Sequence, residues 1–467
     1  MANALAFYGS IIHSPSIGKV EILANTLICI SADGIITVLE PNILPNQLED
    51  KLSALGLGAE GQDLYLYHLH RGEFLIPGFV DTHNHAPQWA QRGLGRGLEI
   101  LDWLNQITFK NEAKFADMAY ARKVYTQAVD GFLKQGVTTA SYYASLHGPA
   151  TKILAEICFT HGQRALIGKC NMDRNSPSFY IEPSVQDSLD ATQDVINAIK
   201  QIDPTASLVR PILTPRFAIS CTDELLQGLG ELVTDNPYLP IQTHFNEAQS
   251  EIDATLSLFP AFTNEVDLYS HFGLLNDRTI LAHCCHMTPY ETEKLKDLGC
   301  GIAHCPIANT TVGGGFMAAP IRNFLRQGIT KIGLGTDSGG GFSSSILDAM
   351  RQAFIVSNAK EMITGGTDKS LSIDECFYMA TLGGASVCGL DHKTGSFAVG
   401  KEFDACLVRT QEIASKSGDL DVDLGVPLGV MTPIETEDTL RIVFEKFVMS
   451  GDDRNIVRVW VKGRSVK

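Results

Sequence analysis

Four places in this chain put a metal-binding side chain directly after a short run of strand-forming residues. They are Asp81-Thr82-His83-Asn84-His85, Thr243-His244, Ala282-His283 and Gly335-Thr336-Asp337. His83 and His85 are two apart, so an extended backbone turns both imidazoles to the same side. Three imidazoles and one carboxylate converging on one point make a good zinc site. In a chain with 13 histidines a single H-x-H says little, and a lone Asp at a strand end is as often a helix cap. The weight lies in four such ends occurring together. Glu247, three residues beyond His244, can stand in the same pocket as a proton carrier, or can be a first-turn helix acid favoured by the helix dipole. In Thr214-Pro215-Arg216-Phe217, a guanidinium fork beside an aromatic face suits a planar heterocycle with adjacent acceptors; the alternative is an exposed arginine and a core phenylalanine.

These groups need a scaffold that brings distant strand ends together. Eight short segments read as strands: Phe74–Val80, Val137–Tyr143, Ala165–Lys169, Leu208–Leu213, Pro240–His244, Thr279–His283, Gly301–His304 and Lys331–Gly335. Between them lie stretches of helical composition, among them 115–134, 185–201, 223–233 and 288–298. Strand and helix alternating eight times predict an α/β fold, a (β/α)8 TIM barrel, with its catalytic groups at the carboxyl ends of the strands. The flanks differ. Val20–Ile30 and Gly34–Leu39 look like antiparallel strands, as do the segment after Gly395 and Ile456–Val461. The expected division is therefore 1–73 and 395–467 as a small β-sandwich built from both chain ends, with the barrel over 74–394.

Length and composition narrow the function. At 467 residues the chain has room for about three domains of roughly 150 residues each, or for one large barrel with an appendage. It is 44% hydrophobic and 19% charged, with 42 Gly and 19 Pro, which excludes collagen, coiled coil and wholesale disorder. Its 37 Lys and Arg against 53 Asp and Glu give a net charge of −16, so neither nucleic acid nor an anionic membrane is expected as a partner. Eleven cysteines with no C-x-x-C pair suggest neither a disulfide framework nor a four-thiolate zinc site, and point to a reducing cytoplasm. The first residues lack the pattern of a secretory signal. The uncharged window from Leu298 to Ile321 is broken by His304, Pro306, Asn309 and three glycines, so no membrane span is expected there.

Taken together, Pro77-Gly78-Phe79-Val80-Asp81-Thr82-His83-Asn84-His85, His244-Phe245-Asn246-Glu247, Ala282-His283, His304-Cys305-Pro306 and Gly333-Leu334-Gly335-Thr336-Asp337 resemble the metal-dependent amidohydrolase superfamily. The resemblance runs over nearly the whole chain. Within that superfamily the chain is similar to the members that act on guanine, through Ala86-Pro87-Gln88, Asp102-Trp103-Leu104, Thr108-Phe109, Thr214-Pro215-Arg216-Phe217 and Ser450-Gly451-Asp452-Asp453-Arg454-Asn455-Ile456. It implies that His83, His85, His244 and Asp337 hold one zinc ion per subunit. It further implies that His283 stands beside the attacking water, that Glu247 shuttles protons, and that Gln88, Arg216 and Phe217 surround the purine, with His85, Glu247 and Asp337 also touching it. The implied reaction is hydrolytic deamination of guanine to xanthine and ammonia by a homodimer. One departure is that Ile307 and Ala308 precede Asn309, where some members carry a polar pair.

Three other readings compete. A relative with the same metal and a different pocket would act on an adenine-type, pterin or triazine ring. A two-metal cyclic-amide hydrolase usually needs a bridging lysine after strand four, where this chain has Leu213-Thr214-Pro215. An inactive scaffolding barrel would show missing ligands, and none is missing. The chain also lacks the P-C-x-x-C of the cytidine-type zinc deaminases.

Overall fold

The computed structural model describes residues 4–57, 64–313, 315–410 and 432–467. Eight parallel strands organise its larger part: β1 Phe79–His85, β2 Val137–Tyr143, β3 Arg164–Gly168, β4 Val209–Pro211, β5 Ile241–Phe245, β6 Thr279–His283, β7 Gly301–His304 and β8 Ile332–Leu334. They form two four-stranded sheets in chain order, β1 to β4 and β5 to β8. A parallel bridge between Leu213 and Ile241 links the segment after β4 to β5. At the other edge, Thr82 Oγ1 donates to the Leu334 carbonyl (2.9 Å) and the Asp337 N–H to the His83 carbonyl (2.9 Å), which ties β8 to β1. Most of these strands are buried along their whole length, as parallel strands covered on both faces must be.

The helices form where the sequence supplies caps and an apolar stripe. Asp117 accepts the N–H groups of Ala119 and Tyr120 and starts Met118–Lys134, which buries Ala121, Val124, Tyr125, Ala128 and Phe132 at helical spacing. Truncating Phe132 to Ala would cost roughly 3–5 kcal/mol. Pro289–Leu298 opens with a reciprocal capping box between Thr288 and Glu291 and ends at Gly299 in the left-handed conformation. The helices Val185–Ile202 and Asp223–Asp235 lie where helical composition places them.

Both chain ends meet in one eight-stranded sheet. Its order is Arg464–Ser465, Ile456–Val461, Ala405–Arg409, Glu73–Pro77, Ala4–Ser16, Lys19–Ile30 and Ile36–Glu40, with Leu64–His68 also pairing to Ala4–Ser16. Phe7 stacks on Tyr67 and Phe403 at 5.0 and 5.3 Å and meets Trp460 edge-on at 5.1 Å, so aromatic residues from both ends share one core. The C-terminal range expected for this part includes residues 411–431, which lie outside the described residues.

Three strand expectations need correction. Phe74–Val80 is not one strand: Glu73–Pro77 belongs to the sheet of the chain ends and β1 begins at Phe79. Pro77 ends the first pairing, and a Cβ on Gly78 would lie 2.2 Å from the Thr138 side chain, so only glycine lets the chain cross so close to β2. Ala165–Lys169 and Leu208–Leu213 also break. Pairing stops at Ile167 and Pro211 and resumes between Cys170–Asn171 and Thr214–Pro215; Thr214 packs where a side chain on Gly168 would stand. All eleven cysteines are free, and among the described residues no helix is long and apolar enough to cross a membrane.

Candidate active site

Asp81, buried within β1, ties that strand to the residues that follow β8. Its Oδ1 accepts the N–H groups of Thr336 (2.9 Å) and His83 (3.3 Å), and its Oδ2 accepts Thr336 Oγ1 (2.6 Å) and Asn84 Nδ2 (3.1 Å). Burial pushes this carboxyl up to about 6 against those donors. The clasp places Asp337 beside the two β1 histidines. Asp337 Oδ1 lies 3.4 Å from both His83 Nε2 and His85 Nε2, and His85 Nε2 lies 3.0 Å from His244 Nε2.

The far sides of the rings set their tautomers. His244 Nδ1 is 2.6 Å from the Arg216 carbonyl, which only accepts, so Nδ1 carries the proton and Nε2 a lone pair. His83 Nδ1 is 2.7 Å from Gln242 Oε1, whose amide nitrogen donates to Ser141 Oγ, and the same logic leaves the His83 Nε2 lone pair directed inward. That nitrogen is buried without a hydrogen-bond partner. His83, His85, His244 and Asp337 each offer one ligand atom, all within 4.8 Å of one another, and together can hold a metal ion. Burial holds the His85 and His244 rings well below the ordinary histidine range, which keeps them neutral, as ligands must be.

Glu247 and His283 stand at the edge of the cluster. Glu247 Oε1 is 3.6 Å from His283 Nδ1, and burial, reinforced by Asp337, raises the Glu247 carboxyl well above its usual range. Burial lowers His283 to about 4. Asn309 Nδ2 lies 3.0 Å from His283 Nδ1; with the amide donating, the ring proton sits on Nε2, which has no partner. The loop containing Ile307 and Ala308 therefore reaches the site through Asn309. Behind Glu247, a buried carboxyl pair grips the turn: Glu251 accepts the Glu247 N–H (3.2 Å) and Glu265 the Asn246 N–H (2.9 Å). Burial pushes Glu251 up to about 7 and Glu265 well above its usual range. Asn246, His283 and Asp337 all have positive φ (45°, 76° and 44°), so backbone strain of order 1–3 kcal/mol per residue is concentrated here.

A cavity opens on this cluster. His85, His244 and Asp337 reach it from the metal-binding group, and Gln88, Arg216, Phe217 and Glu247 wall it. Ile100, Trp103 and Leu104 close it from the segment that continues as the π-helical turn Leu104–Thr108. Every residue expected from sequence to bind metal or substrate thus lines the cavity or stands beside it. Arg216 is not an exposed arginine; it is buried, with Phe109 5.4 Å from its guanidinium carbon.

Sequence reasoning missed Glu112. Its buried carboxylate accepts Gln88 Nε2 (2.8 Å), Arg216 Nη1 and Nη2 (2.8 and 3.2 Å) and the Tyr180 hydroxyl (2.8 Å). It lies 104 positions from Arg216, and the one available signal is that a buried guanidinium needs a counter-charge.

Comparison with known proteins adds an independent line. The Amidohydrolase family matches residues 74–466. A probable guanine deaminase of Schizosaccharomyces pombe is 41% identical over 460 residues, covering 98% of this chain and 83% of that protein. The guanine deaminase of Dictyostelium discoideum is 40% identical over 468 residues, covering 99% and 98%. The crystal structure of guanine deaminase from C. acetobutylicum with guanine bound in its active site superposes with a TM-score of 0.85 at 32% identity, covering 99% of this chain and 100% of that one.

Proposed function

The chain belongs to the amidohydrolase family, and from that premise we propose that it hydrolyses guanine to xanthine and ammonia. The observation that carries this reading is the opening of the four-ligand cluster into a cavity walled by Gln88, Arg216 and Phe217, in a chain similar end to end to guanine deaminases. Three imidazoles and a carboxylate, with the His83 Nε2 lone pair buried and unpartnered, fit one zinc ion per subunit. Bound there, zinc supplies a Lewis acid that makes water a usable nucleophile near neutral pH.

The chain's own residues carry the remaining steps. Asp337 accepts a proton from the attacking water. His283 donates from Nε2 to the oxygen as charge gathers on it. Glu247, kept protonated by its surroundings, gives its proton to the ring nitrogen beside C2, and a later transfer lets the C2 amine leave as ammonia. Phe217 packs against the ring face, while Gln88 and Arg216 hold its polar edge.

The same reading treats the two parallel sheets as one closed (β/α)8 barrel that begins at Phe79 and runs to about 394, supported by the links between their edges, with the two chain ends folded together beside it as one small β-domain. It takes the working form to be a cytoplasmic homodimer; eleven free thiols suit a reducing compartment. The test is Glu247→Gln with zinc content measured alongside turnover. We expect retained metal and a kcat lower by about 10³-fold; a loss under about tenfold would overturn the proton-shuttle role. Assay of the unaltered protein on purines, pterins and triazines tests the substrate.

A further inference from the structure

The wall of the cavity contains an amide that can face either way and a cation that can bind several edges, and one buried acid touches both. We propose that Glu112 is a positioning residue that sets the hydrogen-bonding polarity of this wall, so that Gln88 presents an acceptor beside the Arg216 donors. The inference rests on the guanine reading above and deepens it.

A carboxylate only accepts hydrogen bonds. Gln88 must therefore turn its Nε2 to Glu112 Oε1 (2.8 Å), which aims Oε1 away from Glu112; that oxygen accepts one hydrogen bond, from Gln91 Nε2 (3.3 Å), and keeps its second lone pair for a ligand. The fork of Arg216 is engaged on one side by Glu112, which leaves Nε and the second Nη2 hydrogen for a ligand. Glu112 is itself held from behind: Tyr180 accepts the Leu146 N–H (3.0 Å) and so directs its hydroxyl proton to Glu112 Oε2 (2.8 Å). An acceptor beside donors matches a ring edge that offers N–H next to C=O, which is the N1–H and C6=O edge of guanine. 2,6-Diaminopurine has the same C2 amine to lose but the inverse edge, an acceptor at N1 beside a 6-amino donor. With Glu112 in place, Gln88 cannot turn over to accommodate it.

The experiment compares kcat/KM for guanine and 2,6-diaminopurine in the zinc-loaded enzyme, its Glu112→Gln variant and Glu112→Asp. Glutamine offers both a donor and an acceptor, so it releases the Gln88 amide. We expect guanine to lose about 100-fold and 2,6-diaminopurine much less, so that the preference narrows at least about tenfold, with most of the guanine loss in KM. Glu112→Asp keeps the charge beside Arg216 but cannot reach both partners, and should narrow the preference by an intermediate factor. If Glu112→Gln does not fold, Glu112→Asp reads the same ratio. A preference unchanged within about twofold in a folded, metal-loaded variant overturns the proposal. If the unaltered enzyme turns over neither purine, the guanine reading fails instead, and the two failures are distinct.

Discussion

Two arginines are buried in this protein to the same degree, each 2% exposed, and they are surrounded very differently. Arg164 opens β3 at its amino end. Its Nε and Nη2 bind both Asp404 oxygens (3.0 and 3.2 Å), Nη2 also binds Glu402 (2.6 Å), and Nη1 binds the Ser207 carbonyl (2.8 Å). Arg216, at the opposite end of the parallel strands, has one carboxylate, and the rest of its fork faces a cavity. A guanidinium whose three nitrogens all bind the protein locks two parts of a fold together. One whose donors are partly used, beside an opening, is prepared to bind.

The largest effect that sharpens this contrast is expected for Arg216→Ala, which should lower kcat/KM for guanine by about 10⁴-fold, or ~5 kcal/mol, because the ring edge loses its donors and Glu112 loses its counter-charge. A loss under tenfold would remove the distinction between the two arginines. Arg164→Ala comes next. It leaves Asp404 and Glu402 without their cation, and denaturant unfolding should show a loss of about 3–5 kcal/mol, while kcat/KM of the folded enzyme stays within about threefold. The smallest effect concerns a third kind of buried charge, the Glu251 and Glu265 carboxyls, which face each other. Burial raises Glu251 from 4.5 to about 7, so its contribution to stability is fully present below the unfolded value and is lost as pH rises through 7. Unfolding measured from pH 4.5 to 8 should show a decline of at most about 3 kcal/mol that Glu251→Gln reduces. A flat profile in the unaltered protein would show that the pair gives up its proton without cost.

The parts of the site that sequence makes legible are those written next to one another. His83 and His85 declare a shared face by their spacing, and His244, His283 and Asp337 each follow a strand-like run, so chain position alone brings them to one end of the parallel strands. Arg216 and Gln88 are legible as polar groups near those ends, but the direction each faces is not, because it is decided by Glu112 from a helical turn whose own sequence gives no reason to look inward. The Asp81 clasp on Thr336 is hidden for the same reason: it joins residues 255 apart. The crossing at Gly78 escapes detection because apolar residues continue on both sides of it, so hydrophobic pattern reads straight through a change of sheet.

That crossing ties the fate of the reacting centre to the far end of the chain. The strand Glu73–Pro77 that leads into β1 is paired along its length with Ala405–Arg409. A premature stop after Asp337 but ahead of Ala405 would strip that partner away only a few residues upstream of His83. The injury would be felt first as two displaced imidazoles. Screening for truncation damage by metal retention should therefore detect it before any assay of overall shape.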